Sequence, residues 1–505
     1  MNPVLITFVI YLVCMMLIGV VAYRMTESFS DYILGGRGLG SWVTAISAQA
    51  ADFSGWLLMA LPGAVYATGL GTESIYICIS LCIGTMLNWK YVAARLRIYT
   101  EKAKNSMTLS SFFGNRYRDD SNIIQVVTSL FTVIFFTLYC TAGFVSGGVL
   151  FESLFGIDRN MATLVGGFVI IFYTFLGGFL AVVYTEVIQG FIMFSSLLVT
   201  VILATLFAGG VDVVYQNVLA VNPDILSAVK TISYEKLAQG ATWTTTGNVT
   251  AMTIISACGW GVGYFGQPHI LARFMALKSH KEMTKARLIA MTFGNVTPLY
   301  SAMLVGVIGV AIYNGSQALE NPETVFIQMV QQMFNPWLAG FFLSAVMAAI
   351  MSTLSSQLLV ASSSFTEDIY KGILRKGKAS QSELMWAGRM TVLAISAISL
   401  GLSFHSNKTI LSLVGYAWSG FGASFGPIIL YSLFWKRTTR KGAIAGILTG
   451  GLTVLLWKYA NSPLFEMIPG FILSSLAIPL VSLLDQPPSE EIQKEFDEMV
   501  AQANE

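Results

Sequence analysis

Ala50-Ala51-Asp52-Phe53-Ser54-Gly55-Trp56 lies inside an otherwise apolar run at residues 42–69. From Ala45 to Ala64 the only charge is Asp52. The run is long enough to cross a bilayer as a helix, which takes about 20 residues. A carboxylate near its middle costs about 2.5–3.5 kcal/mol on insertion scales, so an intramembrane acid marks a functional site by default. One turn also packs a hydroxyl, a glycine and an indole beside the acid, and Pro62 follows. Such a stretch is expected to unwind and free backbone carbonyls for a cation. The bland alternative is a packing Asp, protonated or paired with a neighbour.

A second defect matches it. Gly259-Trp260-Gly261-Val262-Gly263-Tyr264-Phe265-Gly266-Gln267-Pro268 holds four glycines and a proline in ten residues, poor material for a continuous helix. Its G-x-G-x-x-G spacing is not a dinucleotide motif, because no strand precedes it and it sits inside a membrane span. A third polar cluster, Ser352-Thr353-Leu354-Ser355-Ser356, lies in another apolar run. Membrane hydroxyls often bond back to their own helix. They are also hard oxygen ligands of the kind that suit sodium.

Apolar segments fall at 4–23, 42–69, 72–93, 123–150, 160–183, 187–209, 245–268, 288–313, 337–362, 386–404, 410–434, 442–460 and 466–484. The expected fold is all-α and polytopic, with 13 transmembrane helices; the runs are too long for barrel strands and do not alternate. Residues 1–23 lack a basic leader and cleavage site, so they read as a span. Alternate loops then carry 24 and 5 of the 29 Lys and Arg residues. The basic set places the amino terminus outside and the carboxyl terminus in the cytoplasm of a cell-membrane protein. The two breaks fall in spans 2 and 7, five apart. A five-helix repeat has odd parity, so its second copy runs inverted, and paired breaks in two inverted halves point to a midplane substrate site. On this division residues 1–41 are a peripheral first span and cytoplasmic loop. The first repeat is 42–209 (spans 2–6), and 210–244 an extracellular loop. The second repeat is 245–441 (spans 7–11), 442–484 peripheral spans 12 and 13, and 485–505 a short solvated cytoplasmic tail.

Composition agrees. Of 505 residues, 55% are hydrophobic and only 11% charged, against roughly 25% in soluble proteins. Mean hydropathy is +0.67. A net charge of +2 gives no field for nucleic acid. The five cysteines (14, 78, 82, 140 and 258) lie in apolar runs without metal spacing and read as small hydrophobes. Neither of the longest loops, near 91–122 and 210–244, can bury its own core. An enzyme is not expected: there is no Walker motif or H-E-x-x-H, Asp52 alone stands at depth, and His269, His280 and His405 read as lying at or beyond span ends. A channel would want a repeated pore helix or symmetric subunits. No obligate protein partner is evident.

The sequence resembles the sodium/solute symporter family, most closely its proline-transporting members, from about Val4 to Leu484. The signals are Asp31-Tyr32-Ile33-Leu34-Gly35-Gly36-Arg37, Ser54 to Met59, Gly259 to Ala276, Met351 to Ser355 and Tyr416 to Ala423. The resemblance implies a leucine-transporter-like core of two inverted five-helix repeats. It implies a sodium-coupled secondary active symporter importing L-proline by alternating access; the alternative is another small solute such as pantothenate, a carboxylate or a sugar. The sodium ligands it implies are the carbonyls of Ala50, Phe53 and Ala349 and the hydroxyls of Ser352 and Thr353, with Asp52 the acid required for coupling. It places substrate near Ser54, Trp56, Tyr139, Trp260, Tyr264 and Pro268, with Gly55 allowing close approach, and it links Arg37 to sodium coupling. Phe53 stands where the proline transporters carry Met. Glu186 stands where the family often has Asp, at a span end, where a solvated cap and an ion-path residue are both open.

Overall fold

The computed structural model describes residues 3–24, 29–176 and 178–503. It is a helical bundle. The chain runs through α1 (Pro3–Arg24), α2 (Phe29–Leu34), α3 (Ser41–Asp52), α4 (Leu61–Thr68), α5 (Ser74–Leu87), α6 (Ala93–Lys102) and α7 (Leu109–Arg116). Then follow α8 (Ile123–Phe155), α9 (Arg159–Leu176), α10 (Phe179–Phe207) and α11 (Val211–Val221). A hairpin of β1 (Lys230–Leu237) and β2 (Gly240–Asn248) precedes α12 (Ala251–Gly263), α13 (Pro268–Ala276), α14 (Met283–Ile289), α15 (Thr297–Ile312) and α16 (Val325–Met333). The last helices are α17 (Pro336–Ser364), α18 (Gln381–Ser403), α19 (Ile410–Phe434), α20 (Arg440–Trp457), α21 (Met467–Leu484) and α22 (Glu490–Ala503).

Among the described residues nine helical segments are long and apolar enough to cross a membrane. The other expected spans fall on α3 with α4 and α12 with α13, which are interrupted, and on α9 and α20, each of 18 residues. The interruptions are the two breaks read from the sequence. Phe53 and Ser54 leave helical geometry between α3 and a π-helical turn at Trp56–Ala60. Between α12 and α13 the chain passes through a 3-10 turn at Tyr264–Gly266 and an extended Gln267.

Glycine lets these elements approach closely. A Cβ on Gly84 would stand 2.0 Å from the Gly261 carbonyl oxygen, and one on Gly261 2.0 Å from that of Ser80. Here α5 and α12 touch backbone to backbone, and the Ser80 hydroxyl donates to the Ala257 carbonyl at 2.8 Å. Small residues at crossings are how membrane helices gain packing where lipid supplies no hydrophobic drive.

Two outer segments differ from expectation. The loop assigned to 210–244 is built: α11 leads into the antiparallel hairpin, which runs on to Asn248. The Trp243 indole donates to the Tyr66 carbonyl at 2.6 Å and the Tyr66 hydroxyl to the Tyr313 carbonyl at 2.7 Å. The hairpin thus gains its core from the helices beneath it. The tail is not simply solvated either. Its α22 buries Phe496 and Met499 against the bundle. Its acids pair with Arg118 (Glu495, 2.6 Å), Lys102 (Glu498, 3.3 Å) and Lys436 (Asp497, 3.2 Å). An amphipathic acidic helix lies against the most basic loops, which the composition of the tail alone did not show.

Candidate functional site

The two breaks meet. The Tyr264 hydroxyl, at the end of α12, donates to the Asp52 carboxylate, at the end of α3. Asp52 is fully buried, and its second oxygen has no partner among the described residues. A buried carboxylate with one hydroxyl donor is poorly compensated. The Trp56 indole donates to the Asp52 carbonyl at 3.2 Å, closing the unwound turn on itself. Trp56 and Trp260 lie 6.3 Å apart. Tyr139 and Ser54 are both buried, and the Tyr139 hydroxyl has no hydrogen-bond partner among the described residues. Gly55 is required by packing: a Cβ there would stand 2.7 Å from the Ser146 oxygen.

The oxygen cluster forms where α17 crosses the first break. The Ser352 hydroxyl donates to the Ala50 carbonyl at 2.8 Å and lies 3.1 Å from the Ala349 carbonyl oxygen. The hydroxyl of Thr353 is buried without a partner among the described residues. Three of the five expected ligands therefore touch one another, and a fourth is an adjacent orphaned oxygen. Phe53 packs its ring between Trp56 (5.6 Å) and Phe194 (6.1 Å), so the residue that differs from the family fills apolar space. Every oxygen in the set is a carbonyl or hydroxyl, suited to a hard cation of low charge.

Pro268, which follows the aromatic group in the chain, opens α13, where its missing N–H costs nothing, and lines a cavity with Ala272 and Thr132. Trp418, left without a role by the sequence reading, joins the aromatic group. Its indole donates to the Trp260 carbonyl at 2.9 Å, and its ring lies 5.1 Å from that of Tyr264. Gly263 has no room for a side chain because Trp418 occupies it. Gln267 bridges the Gly263 and Trp418 carbonyls at 3.0 and 3.2 Å, satisfying oxygens that the break would orphan. On the α12 side a cavity of about 610 Å³ opens beside Trp260, with Lys408, Tyr416, Phe465 and Glu466 in its wall.

The far end of α13 is tied shut. Leu39 and Leu277 form a β-bridge. Arg37, at φ 57°, donates to the Met275 carbonyl (2.7 Å), the Ser106 carbonyl (2.7 Å), Thr100 (3.1 Å) and Asn105 (2.8 Å). Its guanidinium fork thus joins α13 to the segment around α6. Glu186 is no solvated cap. It is fully buried on α10 and accepts from Arg273 at 2.7 and 2.9 Å, with Ser47 of α3 as a further donor. Arg273, counted in the sequence as a loop charge, is also fully buried. It follows the break by only seven residues, about 10 Å of helical rise, which is the signal that places it inside the bundle. His269 is likewise buried, beside Phe136 and Tyr139, and not at a span end. Asp52 is therefore one of several buried charges rather than the lone one.

A bundle with two broken helices crossing at a buried acid is the architecture of a transporter. Among solved structures the chain is similar to a Na+-coupled sialic acid symporter captured substrate-bound and outward-open. The TM-score is 0.76 at 19% identity, over 97% of this chain and 99% of that one. It is also similar to MhsT in complex with L-phenylalanine (TM-score 0.53, 14% identity, 88% and 98% covered). Residues 32–450 match the Sodium:solute symporter family. The chain is 47% identical over 503 residues to a sodium/proline symporter of Escherichia coli (strain K12), covering 98% of this chain and 96% of that protein. It is 46% identical over 487 residues to the high-affinity proline transporter PutP of Bacillus subtilis (strain 168), covering 96% and 98%. This protein belongs to the sodium:solute symporter family.

Proposed function

We propose that the protein imports L-proline by sodium-coupled secondary active symport across the cell membrane. The observation that carries this reading is the Asp52–Tyr264 contact joining the two broken helices, beside the oxygen cluster of Ala50, Ala349 and Ser352. Relatives that cover almost the whole chain are named as proline transporters. On this reading thirteen spans carry a core of two inverted repeats, spans 2–6 and 7–11. The amino terminus is outside and the tail cytoplasmic.

Sodium binds to the carbonyls of Ala50, Phe53 and Ala349 and the hydroxyls of Ser352 and Thr353, turning the Ser352 hydroxyl away from Ala50. Occupancy fixes the unwound turn, and Asp52 supplies the negative field that makes the cation welcome at this depth. Proline enters from the cavity beside Trp260. Ser54, Tyr139 and free backbone groups of the break meet its charged ends, and Trp56, Trp260 and Tyr264 cover its ring. Arg37 and the Glu186–Arg273 pair hold the cytoplasmic side closed until both substrates are bound. The driving force suffices. One charge crossing about 100 mV releases about 2.3 kcal/mol, and a tenfold sodium gradient adds about 1.4 kcal/mol. Together these support roughly several-hundredfold accumulation at one ion per solute.

The solute is tested by competition in proteoliposomes. Excess unlabelled L-proline is expected to block uptake of labelled L-proline, while pantothenate, glucose and pyruvate leave it unchanged. Saturable transport of one of those three with none of proline would replace proline as the solute.

A further inference from the structure

Asp368 lies in a π-helical continuation of α17 at Phe365–Leu374 and takes no part in the mechanism above. It is 4% exposed. Its carboxylate accepts from three hydroxyls: Ser110, Thr108 (3.2 Å) and Ser364 (3.2 Å). Ser110 and Ser364 also lie 2.8 Å apart. No basic side chain pairs with Asp368 among the described residues. Its neighbour in the chain, Glu367, pairs instead with Lys371 at 2.7 Å.

The carboxylate is not needed to cap α7. The Thr108 hydroxyl accepts the Ser111 N–H and the Ser111 hydroxyl accepts the Thr108 N–H, a complete reciprocal cap. Asp368 receives only hydroxyls, each free to turn its hydrogen outward and offer a lone pair to an ion. These three hydroxyls, with that of Ser363, line a cavity of about 20 Å³ whose other wall residues are mostly apolar, Pro268 and Ala272 among them. Holding one water takes about 10–15 Å³, and an unhydrated sodium ion is no larger. Ser363 lines this cavity, is buried, and its hydroxyl has no hydrogen-bond partner among the described residues. The Asp368 carboxylate stands behind three of the hydroxyls that line this cavity, those of Thr108, Ser110 and Ser364; a buried carboxylate without a counter-cation and a buried lining hydroxyl without a partner both call for a missing group.

We propose that Asp368, with the hydroxyls of Thr108, Ser110, Ser363 and Ser364, forms a second site for an alkali cation. It is separate from the cluster at Ser352: Ser364 lies about 18 Å further along α17 by helical rise. It sits toward the Arg37 end of the bundle, since Ser106, which Arg37 grips, stands two residues before Thr108 in the chain. Its small volume and oxygen ligands favour sodium. If the transport reading holds, the site stages the ion between the cluster at Ser352 and the cytoplasm. Cation binding itself does not depend on which solute is carried.

The test uses purified full-length protein in detergent and choline chloride, titrated with NaCl or KCl while the melting temperature is followed. The Ser352→Ala/Thr353→Ala background removes the first cluster. Stabilisation by NaCl is expected to persist in it. Adding Ser363→Ala is expected to raise the half-maximal concentration at least threefold, and adding Asp368→Asn to remove the effect. Ser363 makes no hydrogen bond, so its variant keeps the fold and decides the matter if Asp368→Asn does not fold. A larger shift with KCl than with NaCl identifies potassium as the occupant of the same site. No alkali-cation stabilisation in the background, or stabilisation that Ser363→Ala leaves unchanged, overturns the proposal. Proline uptake is measured separately, so failure here is distinct from failure of the transport reading.

Discussion

Asp52→Asn is expected to eliminate sodium stimulation of proline uptake at sodium concentrations that saturate the unmodified protein. The substitution keeps the volume and the Tyr264 contact but removes the charge. At an effective dielectric of about 20, a unit charge about 6–10 Å from a cation is worth about 1.7–2.8 kcal/mol, so half-maximal sodium rises roughly ten- to hundredfold. Tyr264→Phe separates charge from contact. It leaves the carboxylate in place and removes its donor, so the rise in half-maximal sodium should be smaller than in Asp52→Asn. An Asp52→Asn protein with unmodified sodium dependence removes Asp52 from the coupling.

Glu186→Gln is expected to cost about 3–5 kcal/mol of stability, because it strands Arg273 as an uncompensated charge inside the bundle. Both side chains are fully buried. The double variant Glu186→Gln/Arg273→Gln removes both charges and should recover part of the loss. Glu186→Asp keeps the charge and should be milder than either single neutralisation. Thermal unfolding of detergent-purified protein measures the series. Equal melting temperatures for Glu186→Gln and the unmodified protein would mean that the pair contributes nothing to holding α10, α13 and α3 together.

The features legible in the sequence were those that a local stretch declares by itself. The apolar run with one acid announced the first break, and the glycine-aromatic run the second. The structure puts these stretches in contact through Asp52 and Tyr264, 212 positions apart. Hydroxyls in one turn of α17 pointed to the cluster at Ser352. Pairings between distant segments were not legible. Glu186 looked like a span end because the apolar runs were divided at 183–187, whereas α10 runs unbroken over Phe179–Phe207 and sets Glu186 opposite Arg273. The acidic tail read as solvated because the basic residues that dock it belong to the loops around Lys102, Arg118 and Lys436. Trp418 sat in a recognised run, yet only the crossing of α19 over the second break shows that its indole supports Trp260 and fills the space beside Gly263. In each case the missing information was a contact between elements, which periodicity along one helix does not carry.

Sodium coupling of proline transport is the central claim. It is tested most directly by uptake of labelled L-proline into proteoliposomes holding the purified protein, with an inward sodium gradient or with choline in its place. The account predicts transient accumulation above the external concentration with the gradient. It predicts only slow equilibration without it, and no accumulation when an ionophore collapses the gradient. Saturable uptake that is the same with and without the sodium gradient would contradict it.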